Sequence, residues 1–234
     1  ESDTLTAKIL TTYIVDEAKI NKIAIIHMTD QYGTGGKDNM VTALKAKGIT
    51  PVTIQAHNAG DKDFSAQMLA MKKVGAQAMV IFSGATDNGI ILKQAKQLIP
   101  EIKIFQSSVG ATKPVMDVAG AAANGTYAVV TYTQDNPDAK VQKFVAAFKK
   151  KYNSDPPDFF APLSYDAVYM IAEALKKANT NDHEKFRDAF RAIKGFGGAS
   201  GLSYSVAPNG ETVSELLLVQ IKDGKHTVVG RIKL

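Results

Sequence analysis

Apolar residues in the first half of the chain form short continuous runs at 23–26, 78–82 and 127–130, and a run at 102–105 is interrupted only by Lys103. Runs of this length, rich in β-branched side chains, are typical of strands buried in a parallel sheet. Between them, apolar residues recur at helical spacing, as in Ile91, Ala95 and Leu98. With a further strand predicted at 52–54, the alternation indicates an α/β fold with a doubly wound parallel sheet. Residues 30–36, which contain three glycines, are predicted to be a loop.

The alternation of strand and helix patterns ends after Thr131. Three helix patterns follow without a strand between them, so this stretch does not form a complete α/β layer. The tail from Leu202 reads as β-structure, and residues 222–225 are predicted to be a hairpin turn between strands at 216–221 and 227–232.

Composition excludes several classes of site and partner. The chain has 234 residues and no cysteine, so it has no disulfide framework, thiol nucleophile or thiolate metal site. No apolar run approaches the ~20 residues of a membrane span, which argues against membrane insertion. The net charge is +5, but the lysines are spread at helix-surface spacing, which favours a solvated surface over nucleic-acid binding.

The familiar signatures of cofactor and catalytic sites are also missing. The glycine-rich segment breaks the phosphate-loop pattern, because Asp38 follows Lys37 where a hydroxyl residue is required. It breaks the dinucleotide pattern as well. The four histidines show no metal-ligand spacing, and His57, His183 and His226 are expected at the surface. No Ser/His/Asp arrangement is suggested. We therefore expect no catalytic residue, no metal and no cofactor, and hence no enzyme.

Polar side chains follow three predicted strands where each strand ends. Tyr32 follows the first, Ser83 the third, and Ser107 and Ser108 the fourth. Because the carboxyl ends of parallel strands share one edge of a sheet, these groups are expected to lie together and to bind a small polar ligand. Taken singly, each could instead be a helix cap or an ordinary loop residue.

Several short motifs carry a resemblance to a known family through their order and spacing across nearly the whole chain. They are the segments 22–26, 30–35, 62–65, 92–95, 119–122, 164–168 and 219–224. With them the chain resembles the leucine/isoleucine/valine-binding family of periplasmic proteins, which are type I periplasmic binding proteins.

The resemblance implies a fold of two α/β lobes joined by crossing strands. Residues 1–131 and 216–234 would form the second, Rossmann-like lobe, and residues 132–215 would be helices of a first lobe whose N-terminal part is absent here. Apolar residues of those helices would then face the absent part; they are Val141, Phe144, Phe148, Val168, Ile171 and Leu175.

The resemblance also implies a site. Tyr32 matches the tyrosine of a Tyr-Gly turn that contacts the ligand, and Ser83, Gly84 and Ala85 take the place of an aromatic contact without supplying an aromatic. Ser108 falls where amino-acid binders carry a glutamate that pairs with the ligand ammonium. Since a buried ammonium needs a charged or well-bonded partner, both an amino acid and a carboxylate without an amino group remain open as ligands.

As for function, the resemblance implies a solute-binding protein that closes on its ligand in an interlobe cleft and delivers it to the permease of an ABC transporter. Its place would be the periplasm or another extracytoplasmic space; the chain begins at Glu1, as expected of a mature or excised chain. The alternative is the ligand-sensing lobe of a receptor or transcriptional regulator with the same fold.

Overall fold

The buried apolar runs form the middle of a sheet in the computed structural model, which describes residues 3–156, 158–213 and 216–232. The strands of this sheet are β1 (Ile23–Met28), β2 (Thr53–His57), β3 (Ala78–Phe82), β4 (Lys103–Gln106) and β5 (Tyr127–Val130), with two later strands. β1 and β3 are buried along nearly their whole length, as expected of strands covered on both faces.

Seven strands pair in the order β10-β9-β5-β4-β3-β1-β2, where β9 is Leu216–Lys222 and β10 is Lys225–Ile232. β1 pairs in parallel with β2 and with β3, and the register places Ile25 opposite both Ile54 and Val80. β3–β4 and β4–β5 are also parallel. The predicted α/β fold with a mostly parallel sheet is confirmed.

The strands alternate with helices, as the sequence predicts. The helices are α1 (Asp3–Thr12), α2 (Gln31–Ala46), α3 (Ser65–Lys73), α4 (Ala85–Leu98) and α5 (Lys113–Ala119). A π-helical turn spans Tyr13–Glu17, and 3-10 turns span Ser108–Ala111 and Gly120–Ala123. Phe64, which precedes α3, and apolar residues of α3 and α4 such as Met68 and Leu92 pack with β1 and β3 into one buried core.

The glycine-rich segment is where the sequence-based prediction is wrong. Residues 31–36 are not a loop but the first turns of α2, and the Asp30 side chain caps this helix by accepting from the Gly33 N–H at 2.7 Å. Gly33 and Gly36 allow the helix to lie close to its neighbours. A Cβ at Gly33 would overlap the Met28 backbone, and one at Gly36 would overlap the Phe82 ring. Close packing here overrides the low helix propensity of glycine.

The chain divides into two compact units. Unit 1 contains the described residues up to Val129 together with Leu218–Val229. Unit 2 contains the described residues from Val130 to Leu217 and those from Gly230 onward. The β9–β10 turn lies in unit 1 at Asp223 and Gly224, both at positive φ, which is the geometry of a tight hairpin turn.

Unit 2 contains three helices and a small sheet. The helices are α6 (Ala139–Tyr152), α7 (Phe160–Ala178) and α8 (His183–Arg191), and the three-stranded antiparallel sheet is formed by β6 (Phe196–Gly197), β7 (Ser203–Val206) and β8 (Thr212–Val213). Met170, Ala174, Ile193, Leu202 and Tyr204 belong to its core.

A buried carboxylate joins α7 to the turn that precedes β7. Asp166 accepts hydrogen bonds from the Ala199 N–H at 2.6 Å, the Ser200 N–H at 3.1 Å and the Tyr204 hydroxyl at 3.2 Å. Burial raises the pKa of the Tyr204 phenol above its usual value of 10.0, and the nearby Asp166 carboxylate raises it further. The three donors fix the turn against the helix.

The apolar residues of unit 2 that were expected to form one exposed face are partly exposed and partly buried. Val168, Ile171 and Leu175 are exposed on α7, as expected, but Val141 and Phe144 of α6 are buried. A Cβ at Gly201 would overlap the Val141 side chain, and the Phe144 ring lies edge-on to Tyr165, 5.4 Å between centroids. The helical periodicity identifies apolar faces but not which neighbour covers each one.

Candidate ligand-binding site at the carboxyl ends of the parallel strands

The strand order has a switch point between β1 and β3. From β1 the chain runs outward on one side to β2, and it then returns to build β3, β4 and β5 on the other side. In open α/β sheets, ligands bind outside the carboxyl ends of the strands at such a point. Ser83 and Ser107 directly follow β3 and β4, and Tyr32 lies four residues after the end of β1, so the structure places all three at this edge.

Tyr32 and Ser107 are joined directly. The Tyr32 hydroxyl lies 2.5 Å from the Ser107 Oγ. Tyr32 is the second residue of α2, and Ser107 comes directly after β4. Since β3 lies between β1 and β4, this hydrogen bond spans the end of β3. Ser107 precedes a 3-10 turn but its side chain does not cap it, so the interpretation of Ser107 as a simple cap does not hold.

Ser83 bonds to a histidine that the sequence analysis assigned to the surface. His57 is the last residue of β2 and is only 3% exposed, so that expectation is wrong. Its Nε2 lies 2.9 Å from the Ser83 Oγ, and its Nδ1 lies 2.9 Å from the Asn58 carbonyl oxygen. The ring packs edge-on against the buried Phe64. No motif indicates this contact, because the two residues are brought together by the sheet.

The remaining candidates line the starts of two helical segments. Gly84 is the N-cap of α4 at φ −62°, Ala85 is its first residue, and Ser108 begins the 3-10 turn. Because Gly84 supplies no capping side chain, the first N–H groups of α4 are available as donors at this edge. Asp87, in the same turn, is buried and accepts from the Gly60 N–H at 2.9 Å. A carboxylate in this position is favoured by the helix dipole.

Two buried amides at the same edge add polar atoms: Gln106, which the sequence places at the end of the fourth strand beside Ser107 and Ser108, and Asn88, which the sequence did not indicate. Gln106 donates to Thr126 Oγ1 at 3.1 Å, but its Oε1 has no hydrogen-bond partner in the described part of the chain. Both amide atoms of Asn88 likewise lack a partner among the described residues. Such groups are rare in folded interiors, and here they accompany hydroxyls next to a switch point.

The chemistry of this edge is that of hydrogen bonding without a cation. Its candidate side chains are hydroxyls, and the buried ionisable groups near them are His27, His57 and Asp87. Among the described residues, no group of three or more metal-ligating side chains is placed to hold a metal. No helix in the described ranges is long and apolar enough to cross a membrane. The arrangement can bind a small polar molecule by directed hydrogen bonds.

Comparison with known proteins gives consistent results. The Leucine-, isoleucine-, valine-, threonine-, and alanine-binding protein of Pseudomonas aeruginosa is 30% identical over 190 residues, covering 81% of this chain and 50% of the relative. A solved branched-chain amino acid transporter substrate binding protein of Streptococcus pneumoniae, in complex with isoleucine, superposes with a TM-score of 0.83 at 23% identity. The match covers the whole of this chain and 65% of that one.

A solute binding protein from R. palustris, in complex with benzoate, has a TM-score of 0.84 at 18% identity and covers 98% of this chain and 63% of its own. The chain spans about half the length of the curated relatives it matches. The family model described as Periplasmic binding protein matches residues 2–225. A match over nearly the whole chain, with a mostly parallel sheet like that of the solved relatives, establishes that the chain belongs to the periplasmic binding protein family.

Proposed function

We propose that this chain is part of an extracytoplasmic solute-binding protein of an ABC transporter, and that it binds a small amino acid or a related carboxylate at the carboxyl edge of the unit 1 sheet. The observation that carries the proposal is the pair of hydrogen bonds at the switch point, Tyr32–Ser107 and Ser83–His57, in a chain of this family. Gly84, Ala85 and Ser108 complete the proposed ligand-binding set.

The ligand class follows from the size and polarity of the groups available. The named ligands of the relatives include branched-chain amino acids for one group and benzoate for one solved structure. All are small and combine an apolar body with a carboxylate. Hydroxyls and free helix N–H groups suit the polar end of such a molecule. Delivery to a membrane permease belongs to the same proposal and rests on the relatives' role in ABC transporters.

The first test is a calorimetric and thermal-shift titration of the full-length protein, stripped of ligand, with leucine, isoleucine, valine, isocaproate and benzoate. A ligand that binds only the native state stabilises it by about 2.7 kcal/mol at roughly 100 times its Kd. We expect saturable stabilisation by at least one of these compounds. If none binds, the proposed function is wrong.

A pair of variants locates the site. Tyr32→Phe removes only the hydroxyl that bonds to Ser107 and is expected to weaken binding about tenfold, because one hydrogen bond at a ligand is lost or misdirected. Thr42→Ala, on the exposed side of α2, loses a single bond to the Asp38 carbonyl and should leave affinity unchanged. Equal affinities for the two variants would place the ligand elsewhere.

The alternative of a sensing lobe in a receptor or regulator stays a prediction that no described residue favours. Uptake of the identified ligand by cells that lack the gene for this protein separates the two. Loss of uptake is the result expected for a transporter component.

A further inference from the structure

The buried histidine at the end of β2 has a defined pattern of donors and acceptors. Its Nδ1 faces the Asn58 carbonyl oxygen at 2.9 Å, and its Nε2 faces the Ser83 Oγ at 2.9 Å. A carbonyl oxygen can only accept, so the hydrogen of the neutral ring lies on Nδ1. In a neutral ring Nε2 then carries a lone pair, and the hydroxyl that faces it donates. The Ser83 O–H is therefore directed at His57.

This direction leaves Ser83 with acceptor capacity only. A serine hydroxyl has one hydrogen and two lone pairs, and here the hydrogen is already used by His57. Ser83 can therefore accept a hydrogen bond from a ligand but has no hydrogen left to donate to it.

The surroundings hold the ring in this orientation. Phe64 lies edge-on to His57 with 5.1 Å between ring centroids, and both side chains are buried. His57 also closes β2 in register with Met28 of β1, and the Thr29 N–H donates to its carbonyl oxygen at 2.9 Å. With the backbone paired and both ring nitrogens bonded, His57 has little freedom to rotate and release Ser83.

We propose that His57 is a positioning residue for ligand selection: by taking the hydroxyl hydrogen of Ser83, it presents the Ser83 Oγ to the ligand as an acceptor. The site then favours a ligand that offers an N–H donor at this point, such as the ammonium of an amino acid. It disfavours a carboxylate oxygen there, because two sets of lone pairs would face each other. This inference rests on the proposed function, since it concerns the same site.

The contact at Ser83 helps to decide between an amino acid and a carboxylate without an amino group, a choice that Ser108 leaves open. The loss of a glutamate at that position removes one partner for an ammonium, but Ser83 supplies a hydrogen-bond acceptor on a neighbouring strand end. Asp87 contributes a buried carboxylate one helical turn after Ser83, and none of the six candidate residues is a cation. At the Ser83 contact, an N–H donor of the ligand is therefore better accommodated than its carboxylate.

The first experiment reads the hydrogen position directly. Ring-nitrogen chemical shifts of the histidines in the full-length protein, measured by heteronuclear NMR and assigned with the variants below, distinguish the two neutral tautomers. We expect His57 to be protonated on Nδ1. A His57 protonated on Nε2 would overturn the proposal, because Ser83 would then be free to donate. This measurement needs no variant that must bind ligand.

The second experiment compares leucine with isocaproate, which has the same carbon skeleton without the amino group. In His57→Leu the apolar replacement has no acceptor, so the Ser83 O–H becomes available to a carboxylate. The preference for leucine, as the ratio of the two Kd values, is expected to fall about tenfold. His27→Leu is the matched control, since His27 also bonds through Nδ1 to the following carbonyl oxygen, that of Met28, at 2.9 Å.

The outcomes distinguish failure of the proposed function from failure of the proposed role of His57. If none of the five titrated compounds binds the wild-type protein, the proposed function fails and the inference fails with it. If benzoate binds and none of the amino acids does, only the inference about His57 is overturned. If binding occurs and the ratio in His57→Leu equals that in the wild type or in His27→Leu, only the role of His57 is overturned. Should His57→Leu not fold, Ser83→Ala serves in its place. Removal of the acceptor should weaken leucine about tenfold and leave isocaproate unchanged, and equal weakening of both would overturn the proposal.

Discussion

Replacing Gly33 with alanine tests how α2 is seated on the sheet. Gly33 is buried in the first turn of α2. A Cβ at this position would overlap the carbonyl oxygen, nitrogen and carbonyl carbon of Met28 at the end of β1. All three are backbone atoms held by strand pairing, so they cannot swing aside as the tip of a side chain can. Relief requires α2 to move away from β1, and with it Tyr32.

The expected change in stability of Gly33→Ala is the difference between a gain in helix propensity and a cost of steric overlap. Alanine gains about 1 kcal/mol over glycine in a helix interior, whereas an extra carbon in a filled space costs about 1–3 kcal/mol. Overlap with backbone places Gly33→Ala at the upper end of that cost, so the net loss is about 2 kcal/mol. For a chain of this size that corresponds to a fall in Tm of roughly 4–8 °C, measurable by differential scanning calorimetry.

The control lies on the same helix. A Cβ at Gly35 would meet only the Asp3 carboxylate oxygen, at 4.0 Å, so Gly35→Ala keeps the propensity gain without the overlap. Its Tm is expected to rise by roughly 2–4 °C. If Gly33→Ala is as stable as Gly35→Ala, then α2 does not rest against Met28. The glycine run would in that case be a flexible segment, as the sequence pattern alone suggested.

Further predictions concern unit 2, the hairpin and the site. Asp166→Ala strands three donors and should lower the urea unfolding free energy by on the order of 3 kcal/mol; a loss below about 1 kcal/mol would contradict the network. Because burial raises the pKa of Tyr204 above 10.0, its contribution to stability is complete below pH 10.0 and lost as pH rises through the raised value. As pH rises above 10.0, the unfolding free energy should fall less steeply for Tyr204→Phe than for the wild-type protein. Gly224→Ala, at φ 71°, should cost about 1 kcal/mol in the same assay, and no loss would argue against this turn. Gly84→Ala, at φ −62° with Met28 atoms no closer than 3.8 Å, should change stability by less than about 1 kcal/mol yet weaken ligand binding; unchanged affinity would exclude close contact there.

The sequence predicted the layers of unit 1 well because their signals are local. A run such as 23–26 is apolar on both faces only if both faces are covered, and the structure buries it completely. The turn at 222–225 was predictable for the same reason, since glycine after aspartate suits a tight hairpin. The glycines of α2 were misread because propensity is a weak local preference, and packing against Met28 and Phe82 outweighs it.

Partners distant in sequence were harder to predict. Val141 and Phe144 sit on the expected apolar face of α6, yet periodicity could not show that neighbouring elements of unit 2 cover them. Tyr32 and Ser107 were placed at one sheet edge, but their direct bond joins positions 75 residues apart. His57 carried no signal at all, because a single histidine at the end of a half-exposed strand pattern looks like any surface residue.

These two bonds share a geometry that only the strand order creates. The Tyr32–Ser107 bond spans the end of β3, and the Ser83–His57 bond spans the end of β1, so the two interleave across the switch point. In each bond, the two residues belong to strands or strand ends that are separated by one intervening strand. The donor or acceptor character of a ligand contact is then set by its partner rather than by its own type. Because His57 takes the hydroxyl hydrogen of Ser83, Ser83 can only accept a hydrogen bond from a ligand. Without His57, the same hydroxyl could donate to the ligand. Ligand class in such a site therefore does not follow from matching contact residues one by one. On the proposed function, the polarity of the contact at Ser83 depends on a side chain two strands away, His57 on β2.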